Sequence, residues 1–350
     1  MLMVIFGAGA SHDSISPRNR AQRLADSFMP PRASELFERR PDSFDEALLR
    51  HPTISAVMDR LRHIPAGRYV EEILEEIKSE SATYPMNYRY IAAIQFYLRD
   101  ILYKVGTAWQ REEAAGVTNY STLMGMLYEW QINHSNDPVV LVTFNYDRML
   151  DEARIPFSGR PGQINDYIDT SDFPLLKPHG SVDWFVEVED LPRGEGAAYY
   201  DPGTQFLTDS APWSITDAYH VINNPEPDLF RGERWIAPVV AIPVQRKETD
   251  SFAFPRPHLD FLRKAIAQVT NLLILGWSGR ENHFHDLWKE TGARVEKIVA
   301  VAGDEASGGE VLDQLPVQAY WTNVTTKIPF DGGFSDFVAD RGRIAKLFGG

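Results

Sequence analysis

Residues able to do chemistry fall at four places in this chain, each directly after a short apolar run. Gly7-Ala8-Gly9-Ala10-Ser11 follows Leu2–Phe6. Paired glycines there let a backbone approach a pyrophosphate, and the helix that follows offers N–H groups without an intrahelical partner. The same glycines also suit a tight strand-to-helix turn that leaves no room for a Cβ. The dinucleotide fingerprint of dehydrogenases has a third glycine where this chain has His12.

The other three places add polar groups of distinct kinds. Thr143-Phe144-Asn145-Tyr146-Asp147 puts a carboxamide and a carboxylate after a β-branched run; both residues either face a ligand crevice or cap the next helix. Lys177-Pro178-His179-Gly180-Ser181 sets an imidazole, which can take or hold a proton near neutral pH, beside a glycine that leaves room for a substrate. Gly276-Trp277-Ser278-Gly279 ends a further apolar run with small residues and a hydroxyl suited to a phosphate or a ribose.

Four buried strands must position these groups: residues 2–6, 139–144, 272–275 and 298–302, rich in β-branched side chains and closed by Gly, Asn or a polar turn. Between the first two, apolar residues recur at helical spacing, at Val70, Ile73, Leu74 and Ile77 and again at Ile91, Ile94, Leu98, Ile101 and Leu102. This predicts a helical module inserted over about residues 42–135. A helix over residues 257–269 precedes the third strand. The expected fold class is therefore α/β, a Rossmann-like parallel sheet with helices on both faces and an inserted helical module. The core is expected over about residues 1–40, 137–185 and 236–305. Residues 186–235 read as an irregular insertion or small β element carrying Phe206, Trp213, Phe230 and Trp235, and residues 306–350 as a short tail.

In this order the four motifs resemble the sirtuin family, and more closely the sirtuin-like domains of bacterial antiphage defence systems. The resemblance spans roughly residues 1–305. Pro30-Pro31-Arg32-Ala33-Ser34-Glu35-Leu36-Phe37 fits the loop after the first motif in those domains. It implies a single NAD-binding domain in which Asn145 and His179 are the catalytic pair. Gly7, Ala8, Gly9 and Ser11 would surround the pyrophosphate, and Gly276 and Ser278 the adenosine side. Asp147 would fix the loop, touch the nicotinamide-side ribose, or cap a helix. His12 and Asp13 would line the nicotinamide pocket or lie exposed at a helix start.

The family's small zinc module is held by four cysteines, and this chain has no cysteine, so that module is absent. The resemblance thus implies cleavage of the nicotinamide–ribose bond of NAD+, as substrate, more than protein deacylation. A carboxamide can orient the attacking water at an oxocarbenium-like ribose, with His179 at the ribose hydroxyls or as general base. It further implies an NAD-depleting effector of abortive infection, a homo-oligomer, and control by a HerA-like ATPase or another separately encoded sensor. ADP-ribosyl transfer, deacylation, or NAD sensing without turnover are the alternatives.

Composition narrows the classes. Among 350 residues, 35 basic against 49 acidic side chains give a net charge of -14, which disfavours direct binding to nucleic acid or an anionic membrane. The start lacks the basic region of a signal peptide and no run reaches membrane-spanning length, so a cytoplasmic enzyme is expected. His283 and His285 lie near Glu281 and Asp286, but spacing two apart on a helix turns the imidazoles away from each other, and no metal is expected. Gly303 and Asp304 read as a turn. Trp184, Phe185, Trp213 and Trp235 read as core.

Overall fold

The structure is a computed structural model and describes residues 1–15, 29–38, 40, 44–112, 117–134, 137–189, 214–231, 234–242, 253–315 and 326–349. Phe206 and Trp213 lie outside the described residues.

Six parallel strands form the main sheet: β1 (Leu2–Phe6), β2 (Val139–Thr143), β3 (Leu175–Leu176), β8 (Asn271–Leu275), β9 (Lys297–Val301) and β10 (Thr326–Phe330). Every residue of β1 and β2 is buried, because helices cover both faces of the sheet and the strands therefore read as unbroken apolar runs. The order β10-β9-β8-β1-β2-β3 winds outward in opposite directions from β1. That is the doubly wound order of dinucleotide-binding α/β sheets, whose ligand crevice opens at the carboxyl ends where the winding reverses. Here the reversal lies between β1 and β8, at the first and fourth motifs.

Helix α1 (Ala8–Asp13) follows β1 directly. The inserted module contains α2 (Phe44–Arg50), α3 (Ser55–Arg62), α4 (Val70–Ser79) and α5 (Met86–Glu112). Its core gathers the side chains whose helical spacing announced it, among them Ile73, Ile77, Ile94, Leu98 and Ile101. Helix α6 (Asn119–Asn133) leads into β2, and α7 (Met149–Ser158) follows it. Later come α8 (Arg256–Ile266), α9 (Asn282–Thr291), α10 (Glu305–Gln314), α11 (Gly333–Ala339) and α12 (Arg343–Phe348).

One segment enlarges on the sequence reading, in which residues 186–235 are an irregular insertion or small β element, and another differs from it. A second, antiparallel sheet with order β5-β4-β7-β6 is built from β4 (Gly180–Val188), β5 (Ile215–Val221), β6 (Phe230–Arg231) and β7 (Arg234–Val240). It takes in residues on both sides of the expected irregular insertion, and Val182, Val240 and Ile242 join it to the helical module's core. Residues after 305 are not a short tail. Strand β10 pairs with β9 as the sixth strand, and α11 docks on α1, where the Ser335 amide donates to Asp13 Oδ2 at 2.8 Å.

Candidate active site

The carboxyl ends of β1, β2 and β8 open into a cavity of 1230 Å³, closed on the far side by residues of the helical module. Gly7, Ala8, Gly9, Ser11, Asn145, Asp147, His179, Gly276 and Ser278 all line it. The four motifs therefore meet in one place. Asp13, the remaining candidate, is not among the lining residues; its carboxylate anchors α11.

The glycine turn is held against the turn after β8. Gly7 N donates to Leu275 O and Gly9 N to Gly276 O, each at 3.0 Å. A Cβ on Gly9 would sit 2.9 Å from the Gly276 carbonyl oxygen, inside contact distance. The tight-turn requirement is thus physical, and bonds inside the protein occupy the amides of Gly7, Gly9 and Ala10. The Ser11 hydroxyl also points inward. Its single hydrogen goes to Asp147 Oδ2 at 2.7 Å, so the Tyr120 hydroxyl at 2.8 Å must donate to it. Tyr120 is wholly buried, and burial raises its phenol well above the ordinary value, which keeps it a donor.

Asn145 is fixed by the same cluster. Its Nδ2 donates to Gly7 O and to Ser11 Oγ, each at 2.9 Å. A backbone carbonyl only accepts, so the atom facing Gly7 must be the amide nitrogen. Both amide hydrogens are then committed, and Oδ1 is the group left to act on a ligand. Asp147 holds the loop: Oδ1 accepts from Met149 N at 2.9 Å at the start of α7 and Oδ2 from Ser11. Burial raises its carboxyl above the usual range despite these donors.

His179 lines the same cavity in an aromatic setting. Phe144 meets it edge-on at 5.0 Å, Tyr146 lies at 5.9 Å and His283 at 6.1 Å. Phe144 in turn stacks in parallel on Trp277 at 5.1 Å. Its backbone is fixed by Ala241 N donating to His179 O at 2.8 Å. The adjacent Gly180 has φ +80°, and a Cβ there would fall on the Val239 carbonyl, so only glycine lets β4 start at this point.

Sequence reading did not single out Tyr120, Lys177 or the cavity's helical wall. Tyr120 and Lys177 carry no sequence signal of burial, since lysine is ordinarily solvated. On the helical wall, Arg62 donates to Phe37 O at 2.9 Å, and Tyr69 lies under the Arg280 guanidinium at 4.6 Å, joining the two sides of the cavity mouth. His283 lines the cavity, whereas His285 Nε2 turns to Gly279 O at 2.6 Å. Among the described residues no group of His, Asp and Glu is placed to hold a metal, and no helix is long and apolar enough to cross a membrane. Asp304 caps α10, accepting from Ser307 N at 2.8 Å.

Fold and site together define a doubly wound α/β protein with a cavity at its topological switch point. No family model matches the chain, and no curated protein does. Among solved structures, a mutant Sir2 homologue in complex with ADP-ribose aligns with 99% of this chain and 91% of its own, at 12% identity and a TM-score of 0.41. A Sir2 homologue–NAD complex aligns with 99% of this chain and 89% of its own, at 11% identity and a TM-score of 0.39.

Proposed function

We propose that this chain binds NAD+ in the cavity and hydrolyses its nicotinamide–ribose bond, releasing nicotinamide and ADP-ribose. The observation that carries the proposal is the committed amide of Asn145. With both hydrogens donated inward, Oδ1 is the acceptor available to hold a water hydrogen and aim the water oxygen at the ribose. The N–C1′ bond breaks with its electron pair passing to the pyridine nitrogen, which neutralises the nicotinamide. The water oxygen bonds to C1′ and a proton leaves, with His179, in the same cavity, as its acceptor or as a hydrogen-bond partner of the ribose hydroxyls.

Gly7, Ala8 and Gly9 form the wall proposed for the pyrophosphate, with Gly276 and Ser278 on the adenosine side. Asp147 and Ser11 hold Asn145 instead of contacting phosphate. The resemblance of the four motifs to sirtuin-like defence domains supports a role as an NAD-depleting effector, kept in check by homo-oligomeric assembly or by a partner such as a HerA-like ATPase.

A second reading is favoured by the cavity's size. At 1230 Å³ it exceeds the roughly 300–1,000 Å³ typical of ligand sites, which leaves space for an ADP-ribose acceptor other than water. Incubating the protein with NAD+ and quantifying both products separates the two. Equal nicotinamide and free ADP-ribose support hydrolysis, and nicotinamide in excess of ADP-ribose supports transfer. NAD+ binding without either product supports a sensing module.

A further inference from the structure

The side chain of Lys177 is fully buried, two residues before His179. An ammonium group so placed is tolerated only when its donors are all met. Its three hydrogens have three acceptors: Asp147 O at 2.7 Å, Asp151 Oδ2 at 2.9 Å and Ser181 Oγ at 2.7 Å. Burial would raise the Asp151 carboxyl, yet Lys177 beside it brings it below the ordinary value.

These acceptors belong to different parts of the site. Asp147 O lies on the loop that carries Asn145, Asp151 on α7, and Ser181 at the start of β4. Ser181 Oγ also reaches Tyr146 O at 3.3 Å, and Val182 N donates to Tyr146 O at 3.0 Å. Nearby, Arg148 Nε stands 3.3 Å from Asp183 Oδ2, so a second, partly buried pair backs the first. The ammonium group is thus the point where the Asn145 loop is tied to the His179 turn.

We infer that Lys177 is a positioning residue whose buried ammonium locks the Asn145 loop to the His179 turn and sets the separation of the two groups across the cavity. The inference rests on the reading of Asn145 and His179 as the pair that acts on NAD+. A lysine serving stability alone would be replaceable by any neutral, well-packed alternative; a positioning lysine would not.

The test replaces both charges at once, Lys177→Met with Asp151→Leu, so that no unpaired charge is left buried. The expected result is a folded protein that binds NAD+ much as the parent does while kcat for nicotinamide release falls about 100-fold, the order expected when reacting groups shift by about 1 Å. A crystal structure of the double variant should show the Asn145 and His179 Cα atoms displaced relative to each other. Parental kcat in the folded double variant, or an unchanged separation, would overturn the inference. Should the double variant not fold, Ser181→Ala removes one acceptor only, and the expected result is a lower kcat at unchanged KM; an unchanged kcat overturns the lock. Should the parent itself release no nicotinamide, the NAD-cleavage reading fails, and the measured separation still decides whether Lys177 positions the two loops.

Discussion

Replacing Ser11 by alanine strikes the hydrogen-bond cluster at its hub. The hydroxyl accepts from Asn145 Nδ2 and Tyr120 and donates to Asp147, all with little or no exposure to water. Losing three buried hydrogen bonds, at about 1 kcal/mol net each, costs about 3 kcal/mol. For a chain of 350 residues the unfolding entropy is about 0.7 kcal/mol/K, so Tm should drop by about 4 °C. Ser11→Ala should therefore fold. Its Asn145 amide, however, keeps only the bond to Gly7 O and is no longer held with Oδ1 toward the ligand. Nicotinamide release should fall about 100-fold with NAD+ affinity little changed. The milder comparison is Tyr120→Phe, which removes one donor to Ser11 and leaves the Asn145 bonds to Gly7 O and Ser11 Oγ in place. It should cost about 1 kcal/mol and leave turnover within a few-fold. Calorimetry paired with product chromatography reads both effects. Parental turnover in Ser11→Ala, or equal damage from Tyr120→Phe, would refute the view that Ser11 orients the amide.

Further expectations concern stability. His258 is buried, and burial pushes its imidazole down to about 4 from an ordinary 6.5, with Nε2 2.9 Å from Ile164 O. Because the folded value is depressed, its contribution is present above pH 6.5 and lost as pH falls through 4, with a ceiling of about 3 kcal/mol. Denaturant melts of His258→Gln should show a flatter stability curve across that window, and an unchanged slope would count against the assignment. Gly180→Ala should yield insoluble or strongly destabilised protein, because φ is +80° and the Val239 carbonyl fills the Cβ position; a wild-type melt would contradict this. Truncation after residue 325 should abolish folding, since it bares the β9 edge and removes Phe334, which packs on Phe6 and Tyr120 at 6.4 and 5.3 Å. A soluble, cooperatively melting truncate would show the last segment to be dispensable.

The strands β1, β2, β8 and β9 were legible because burial on both faces leaves continuous apolar runs ended by turn residues. The helical module was legible through spacing alone. Strand β10 was not: Thr326–Phe330 carries Lys327 and Pro329 and is only partly buried, as an edge strand can be. The second sheet was legible only as an irregular insertion or small β element, because eight of nine residues of β4 are buried and the alternation that marks a half-exposed strand is missing.

At the site, the candidates read from the sequence, Asp13 excepted, line one cavity, but the bonds they make with one another were not legible. Ser11 and Asp147 line the cavity and also bond to each other, Asp147 holding the loop as one of its readings had it, whereas Asp13 belongs to a contact with Ser335, far away along the chain. Such pairings depend on which side of a turn a hydroxyl or carboxylate points, and on partners hundreds of residues off, neither of which spacing records. Tyr120 and Lys177 escaped notice for the same reason, as only the folded chain brings Ser11 to one and the Asn145 loop to the other.

Cleavage of NAD+ by Asn145 and His179, with water as acceptor, is open to direct measurement. The direct measurement incubates the parent, Asn145→Ala and His179→Ala with NAD+ and quantifies nicotinamide and ADP-ribose over time. The account predicts equal release of the two products by the parent and loss of release in both variants, with NAD+ binding retained. Undiminished hydrolysis in the two folded variants would contradict it.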